Sequence, residues 1–339
     1  MNLLPKITAT VRKKIPNPIK KAVRKVYKSR LQQDIEKFKK TGTRFRPPLR
    51  HFPGIVRFEV TTRCNLHCAH CPHSALSKDK NFLGDMDKEL YFKAINEIAA
   101  QSPDTTVRPF GGGEPLCRKD LAELIGYAKK KGIQKTSINT NGTLLTKNRR
   151  TELIKNGLDH IEVSIDAATS ETYAKVRQAD FFHKVVDNTI AYIDESKQLN
   201  KNSRTTVSFV LQKDNQNELE AFKRFWEKKV DQVVIRPYHQ HGGLIDAHGN
   251  LFKNGVSIPR HPCPYVWRGL IISIHAKVCF CESDWKAEHT LGDIRHQSIK
   301  EIWQGPEFNR LREQHIAGTF DHPLCNACPD WQKIKWPGM

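Results

Sequence analysis

From about residue 55 the chain alternates between two hydrophobic periods. Short runs rich in β-branched residues recur: GIVRFEV (54–60), TTVRPF (105–110), KTSINT (135–140), HIEVSID (160–166), RTTVSFVL (204–211) and DQVVIRP (231–237). Between them lie longer stretches with apolar residues three and four apart, near 87–101, 119–131, 147–156, 182–199 and 217–229. The first pattern is that of strands and the second that of helices with one apolar face. Strand then helix, repeated about six times, predicts a parallel α/β architecture. Six units fall short of the eight that close a full barrel.

Both ends break the pattern. In residues 1–50, Asn17 and Pro18 offer a helix start, and Ile19, Ala22, Val23, Val26, Tyr27, Leu31, Ile35 and Phe38 recur at helical spacing. Lys and Arg fill the opposite face, and Gly42 is a plausible stop before the prolines at 47, 48 and 53. After the α/β body, residues 51–245, the alternation ceases. The loop HGGLIDAHGNLFKNG is followed by an expected hairpin, GLIISIHAKVCF, and a helix near 298–315. Residues 246–339 also hold five of the nine cysteines, which reads as a separate, small, metal-dependent module.

Charge sharpens this division. The 339 residues carry a net +20, yet residues 1–50 hold 16 Lys and Arg against 2 Asp and Glu. The basicity therefore belongs to the arm. It reads as a helix packed on the body with a solvated basic face, as a peripheral contact with anionic membrane, or, ranked last for want of an aromatic platform, as nucleic-acid binding. No run of about 18 apolar residues exists to span a bilayer. The opening MNLLPKITATVRKK lacks the apolar segment of a signal peptide. An odd number of cysteines without such a signal argues for metal-binding or catalytic thiols in a reducing, cytoplasmic setting.

The chemistry concentrates in TTRCNLHCAHCPHS (61–74), where Cys64, Cys68 and Cys71 stand at C-x3-C-x2-C directly after the first expected strand. Loops at the carboxyl ends of parallel strands build active sites. Structural zinc wants four protein ligands at closer pair spacings, and no residue at a usual spacing completes such a site. Three thiolates on a cuboidal iron–sulfur cluster leave one iron open to a chelating ligand.

This loop resembles the signature of the radical S-adenosylmethionine (SAM) enzymes, and the resemblance runs over about residues 55–339. It implies a partial (β/α)6 TIM-type barrel in which a 4Fe-4S cluster binds SAM through its open iron. Asn65 matches the frequent Asn after the first cysteine. His70 stands where an aromatic residue usually contacts adenine. In GGGEP (111–115), Gly112 and Gly113 match the glycines that approach the methionine ammonium group, and Glu114 would hold the local geometry. Asn139, Asn141, Ser164 and Asp166 end the third and fourth strands and are expected at the barrel mouth, and the resemblance makes Ser164 and Arg177 candidates for the cofactor's ribose or carboxylate. Arg236, Tyr238, His239 and His241 end the sixth strand and are candidate substrate-binding or catalytic residues. Cys117 reads as a packed small side chain.

The late cysteines, taken alone, suit a cluster or a four-cysteine zinc site equally. Their order resembles the SPASM/twitch extension of the same superfamily: a cysteine, a hairpin with Gly-x4-Cys, LG(D/N)I, a helix with Ile-Trp, and a late CxxC. Ala276 occupies the glycine position, and counting from it selects Cys281 rather than Cys279. The resemblance thus implies one auxiliary 4Fe-4S cluster on Cys263, Cys281, Cys325 and Cys328, with an electron-transfer role.

The activity implied by the resemblance is reductive cleavage of SAM to a 5′-deoxyadenosyl radical, which abstracts hydrogen from a substrate. Electrons would come from a donor such as flavodoxin or ferredoxin. The arm is too short and too basic for a peptide-recognition domain of about 80 residues, so a small-molecule or carbohydrate substrate is expected, by oxidation or epimerisation. A ribosomal-peptide maturase is the alternative within the superfamily. A metal-stabilised binding or scaffold protein is the alternative from another class.

Overall fold

The computed structural model describes residues 30–199, 203–246, 248–251 and 259–336. Six parallel strands occur in sequence: β1 (Ile55–Phe58), β2 (Thr106–Arg108), β3 (Lys135–Thr140), β4 (His160–Ser164), β5 (Arg204–Leu211) and β6 (Gln232–Pro237). Each pairs with the next, from Ile55 opposite Thr106 to Leu211 opposite Pro237. Helices at Lys88–Gln101, Leu121–Lys130, Lys147–Lys155, Phe182–Gln198 and Leu219–Trp226 cover the outer face. This is the expected partial (β/α)6 barrel.

The sequence-based reading is incomplete at three places. The C-terminal hairpin, β7 (Gly269–Ile272) and β8 (Lys277–Cys279), is present, but it does not form a free-standing module. Strand β7 pairs in parallel with β1, and β9 (Gly292–Asp293) pairs with β8, giving one nine-stranded sheet in the order β6-β5-β4-β3-β2-β1-β7-β8-β9. Glycine makes this junction possible: a Cβ on Gly269 would lie 2.2 Å from the Ile55 carbonyl oxygen. The late helix is two helices, Ile299–Gln304 and Pro306–Ala317. The Gly305–Pro306 step divides them, because proline supplies no amide for the first helix's ladder and suits the first turn of the second. Finally, an eight-residue helix at Ser170–Arg177, started by Thr169 accepting from the Thr172 amide, escapes the periodicity and carries Arg177.

The described part of the arm is a helix over 30–41. It buries Ile35 and Phe38 in the core, with Phe38 edge-on to Phe45 at 5.7 Å and to His261 at 6.4 Å. Two of the apolar positions that would face a bilayer are therefore used in packing. The helix ends at Gly42, whose φ of 68° is left-handed. The earlier positions, from Asn17 to Tyr27, lie outside the described residues. Among the described residues no helix is long and apolar enough to cross a membrane.

Candidate functional site

The early cysteines occupy the loop after β1, and four separate elements pin that loop. Asn65 donates to Thr143 Oγ1 at 2.8 Å and accepts from Asn141 Nδ2 at 3.0 Å, tying it to the end of β3. The Ala69 amide donates to the Val176 carbonyl at 3.1 Å, and the Glu114 amide to the Arg63 carbonyl at 2.8 Å. Thr62 closes the loop's base, donating to Phe82 O at 2.6 Å and accepting from the Gly84 amide at 2.8 Å.

Within this frame Cys64, Cys68 and Cys71 are close enough for their charges to act on one another. Burial, helped by the neighbouring sulfurs, pushes the thiols of Cys64 and Cys71 up to about 12. The one cationic side chain hydrogen-bonded to the trio among the described residues is Arg177, whose NH1 lies 3.6 Å from Cys68 Sγ. Three buried thiolates need more positive charge than that, and the iron of a cluster supplies it. The donor set therefore fits the group. Among the described residues, no three His, Cys, Asp or Glu side chains converge on a single ion-sized point.

Around the trio, the expected site residues divide into two sets. Glu114 is fully enclosed and accepts from Thr140 Oγ1 at 2.6 Å, the Asn141 amide at 2.7 Å and the Leu116 amide at 3.1 Å. It locks the glycine loop to β3. Asp166, at a left-handed φ of 63°, accepts from the Val210 amide at 2.7 Å and pairs with Arg177 NH2 at 2.7 Å. His70 lies 3.3 Å from the same carboxylate and 3.4 Å from Gln212 Nε2. Asn141 is engaged by Asn65. These residues brace one another. By contrast Gly112, Gly113 and Asn139 take no side-chain part in this bracing. The Asn139 side chain has no hydrogen bond among the described residues. Ser164 lies between, accepting from Ser208 Oγ at 3.2 Å.

The glycine loop is packed too closely for side chains. A Cβ on Gly113 would stand 2.5 Å from Arg63 O and 2.7 Å from the Thr62 carbonyl carbon. On Gly112 it would meet Glu59 Oε1 at 2.6 Å and Trp285 at 3.5 Å. Neither Glu59 nor Trp285 is signalled by the sequence motifs. Glu59 accepts from the Gly112 amide at 3.2 Å and the Ile274 amide at 3.4 Å, joining the glycine loop to the C-terminal hairpin. Burial raises its carboxyl to about 7.

The late cysteines come together from three stretches. Cys263 is an electrostatic neighbour of Cys325 and Cys328, and Cys281 of Cys263 and Cys325. Cys279 faces Asp284 and Glu59 instead. Two residues that sequence reasoning missed shape this set. The Cys263 amide donates to His315 Nδ1 at 3.0 Å, which leaves the proton on Nε2, 3.3 Å from Cys325 Sγ. Burial keeps that imidazole neutral. Arg260 donates to the Cys325 carbonyl at 2.6 Å. A neutral ring that donates to one of these neighbouring sulfurs also fits a cluster.

Of the sixth-strand candidates, Arg236 grips both oxygens of Glu162 at 2.7 Å. Tyr238 is buried, its hydroxyl donating to Asp246 O at 3.2 Å. His239 lies 3.9 Å from Asp330, and its ring is 6.2 Å from that of His241. Burial lowers both imidazoles below their ordinary range. Cys117 is half-buried beside Glu114 and the Asn65 backbone.

Family models for the radical SAM superfamily and for an iron–sulfur cluster-binding SPASM domain match residues 58–225 and 263–329. The chain belongs to the radical SAM superfamily and carries a C-terminal SPASM domain. It is an enzyme whose cofactors are SAM and 4Fe-4S clusters, one in the barrel and a further centre in the SPASM domain. Fe-coproporphyrin III synthase of Methanosarcina barkeri is 40% identical over 123 residues, which is 36% of this chain and 29% of that protein. The chain thus spans under a third of this curated relative. BtrN, solved with AdoMet and 2-DOIA, superposes with a TM-score of 0.58 at 20% identity over 81% of this chain and 92% of its own. Streptococcus suis SuiB bound to the precursor peptide SuiA gives 0.60 at 15% identity over 84% and 71%. At these identities the two structures share the fold.

Proposed function

We propose that Cys64, Cys68 and Cys71 hold the catalytic cluster, that Cys263, Cys281, Cys325 and Cys328 hold one auxiliary cluster, and that the enzyme oxidises or epimerises a small-molecule or carbohydrate-type substrate. With its cofactors bound and an electron supplied by a donor such as flavodoxin or ferredoxin, the site provides a 5′-deoxyadenosyl radical that removes hydrogen from an unactivated carbon. The protein's own residues position and enclose. The bare backbone of Gly112 and Gly113 admits the cofactor's amino-acid end, Glu114 keeps that loop on β3, and Arg177, held by Asp166, steadies Cys68. His70, Asn139 and Ser164 border the space left for the nucleoside.

The observation that carries the substrate class is the concave face of the sheet. Arg57, Glu162, Arg236, His239 and His241 put fixed polar groups on rigid strands and the loop after them, as pockets for small polar molecules do. The likeness to BtrN, solved with 2-DOIA, lends support. The likeness to SuiB, solved with a peptide, is the ground for a second reading, peptide modification.

Anaerobically reconstituted enzyme, dithionite and SAM, offered deuterated polyols and sugar nucleotides, separate the two. Deuterium in 5′-deoxyadenosine is expected from one of them, with a carbonyl product marking oxidation and replacement of that deuterium by solvent protium at the same carbon marking epimerisation. No transfer from any of them, together with tight binding of a leader peptide, would put the second reading in its place.

A further inference from the structure

We propose that the concave face holds an oxyanion subsite centred on Arg108, and that the substrate carries a carboxylate or phosphate group that docks there. The proposal rests on the enzyme reading above and narrows its substrate to an anionic one.

The placement is set by strand geometry. Arg57 of β1 and Arg108 of β2 are register partners. Glu162 lies on β4 and Arg236 on β6, so β3 alone separates the first of these strands from β2, and β3, β4 and β5 separate the second. The charges of Arg57, Glu162, Arg236 and Glu282 all nevertheless act on Arg108. Strand register puts Arg57, Arg108, Glu162 and Arg236 on one face of the curved sheet, and Arg57 holds Glu282 there, so these five groups line the lumen.

Two of the three guanidinium groups are already matched. Arg236 holds Glu162 through two oxygens. Arg57 holds Glu282 at 2.7 Å and lies over the Phe110 ring at 5.1 Å. The Tyr265 hydroxyl donates to the same Glu282. Burial alone would raise that carboxyl, but Arg57 and Tyr265 prevail and hold it down to about 2. Both carboxylates are therefore occupied by partners of their own. The Arg108 side chain makes no hydrogen bond and no ion pair among the described residues, and its Nε is buried without a partner. Burial, with Arg57 beside it, lowers its pKa to about 10, so it keeps its charge at neutral pH. Arg108 is half-buried, and an enclosed Nε–H without a partner is costly, so a fold keeps one where something else completes it. What completes it here is a planar or tetrahedral oxyanion, which matches the guanidinium fork through two parallel hydrogen bonds. Three arginines against two carboxylates leave one positive charge for it to balance.

The subsite also lies where a substrate must be. Arg108 stands three residues before Gly111, and the glycine loop begins where its strand ends. A molecule anchored on Arg108 therefore extends towards the space bounded by Gly112 and Trp285. The Trp285 indole N–H is likewise buried without a partner.

Isothermal titration calorimetry on the reconstituted enzyme tests this, with inorganic phosphate and with acetate against chloride at matched ionic strength. One site per chain is expected, with affinity at least tenfold weaker in Arg108→Met and unchanged in Arg224→Gln, an exposed helix position. Binding of phosphate alone identifies a phosphate monoester, and binding of acetate alone a carboxylate. Arg108→Lys, which keeps the charge without the fork, is expected between the two. The melting temperature of Arg108→Met should equal or exceed that of wild type, whereas an arginine serving only the fold would lower it. Equal binding by wild type and Arg108→Met, or by wild type and Arg108→Lys if the methionine variant does not fold, overturns the proposal, as does binding of neither anion. The titration needs no turnover. A wild type that binds the anion but forms no 5′-deoxyadenosine would sink the radical chemistry and leave the subsite standing.

Discussion

The two cysteine sets solve one problem by opposite means. The early trio lies within eight consecutive positions, and a single loop presents it. Backbone turns such as Cys71 N to Cys68 O at 3.1 Å set the spacing, and clamps from neighbouring strand ends set the orientation. The late quartet is drawn from positions 263 to 328: a turn with Cys328 N to Cys325 O at 3.2 Å pairs its last two, and tertiary structure brings them to Cys263 and Cys281. Trp336 donates to Pro262 O at 2.6 Å, Arg260 reaches Cys325 O, and His315 bridges Cys263 to Cys325. A local loop can leave one coordination position open because the rest of the barrel guards it. On the proposed assignment, a set assembled from distant segments would supply all four ligands and crosslink them, as a structural metal site does.

The sharpest way to break this comparison is to remove one sulfur from each set. Reconstituted wild type should hold about eight irons per chain. Cys68→Ala should fall to about four and lose 5′-deoxyadenosine formation altogether. Cys328→Ala should also fall to about four, yet keep SAM cleavage while losing turnover of substrate. Iron analysis and chromatographic assay of 5′-deoxyadenosine read both. Since β7 pairs with β1, a quartet variant that lost cleavage as fully as Cys68→Ala would show that the two centres are one mechanical unit.

Gly113→Ala perturbs the early site without touching a sulfur. The added Cβ meets Arg63 O at 2.5 Å, and both walls are backbone, so the glycine loop must move away from the cysteine loop. Iron content should stay at the wild-type level. A displacement approaching 1 Å at a site that works by positioning costs about a hundredfold, and 5′-deoxyadenosine formation should fall by roughly that factor. A smaller loss with unchanged SAM affinity would mean that the glycine loop does not seat the cofactor.

How much of this could be read in advance obeys the same local and non-local division. The six strands, most helices and the trio were legible because each is a pattern within a few residues. The pairing of β7 with β1 was not, since it joins residues more than two hundred positions apart. Arg57, Arg108 and Glu162 were missed for another reason. Charged residues alternating along a strand read as a face turned to water, whereas in a barrel the alternate face is enclosed as well. The glycine usually found in the hairpin turn is Ala276 here, and it adopts the left-handed φ of 68° that explains why glycine is usual. That backbone demand kept the count to Cys281 meaningful although the residue itself had changed.

The smallest predicted effect tests that count. Cys279 and Cys281 would share a face if β8 continued, and either sulfur would then serve. The strand ends at Cys279, and the chain turns: the Ser283 amide donates to Cys281 Sγ at 3.4 Å, and the Asp284 amide to Cys281 O at 3.2 Å. The turn carries Cys281 towards Cys263 and Cys325 and leaves Cys279 bonded to Asp284. Cys279→Ala should therefore keep all of the iron and lose only that hydrogen bond, about 1 kcal/mol in chemical denaturation. Cys281→Ala should lose half of the iron. If instead Cys279→Ala loses iron and Cys281→Ala keeps it, the hairpin must be re-registered by two residues. The quartet would then owe its geometry to the inserted metal and not to the fold around it.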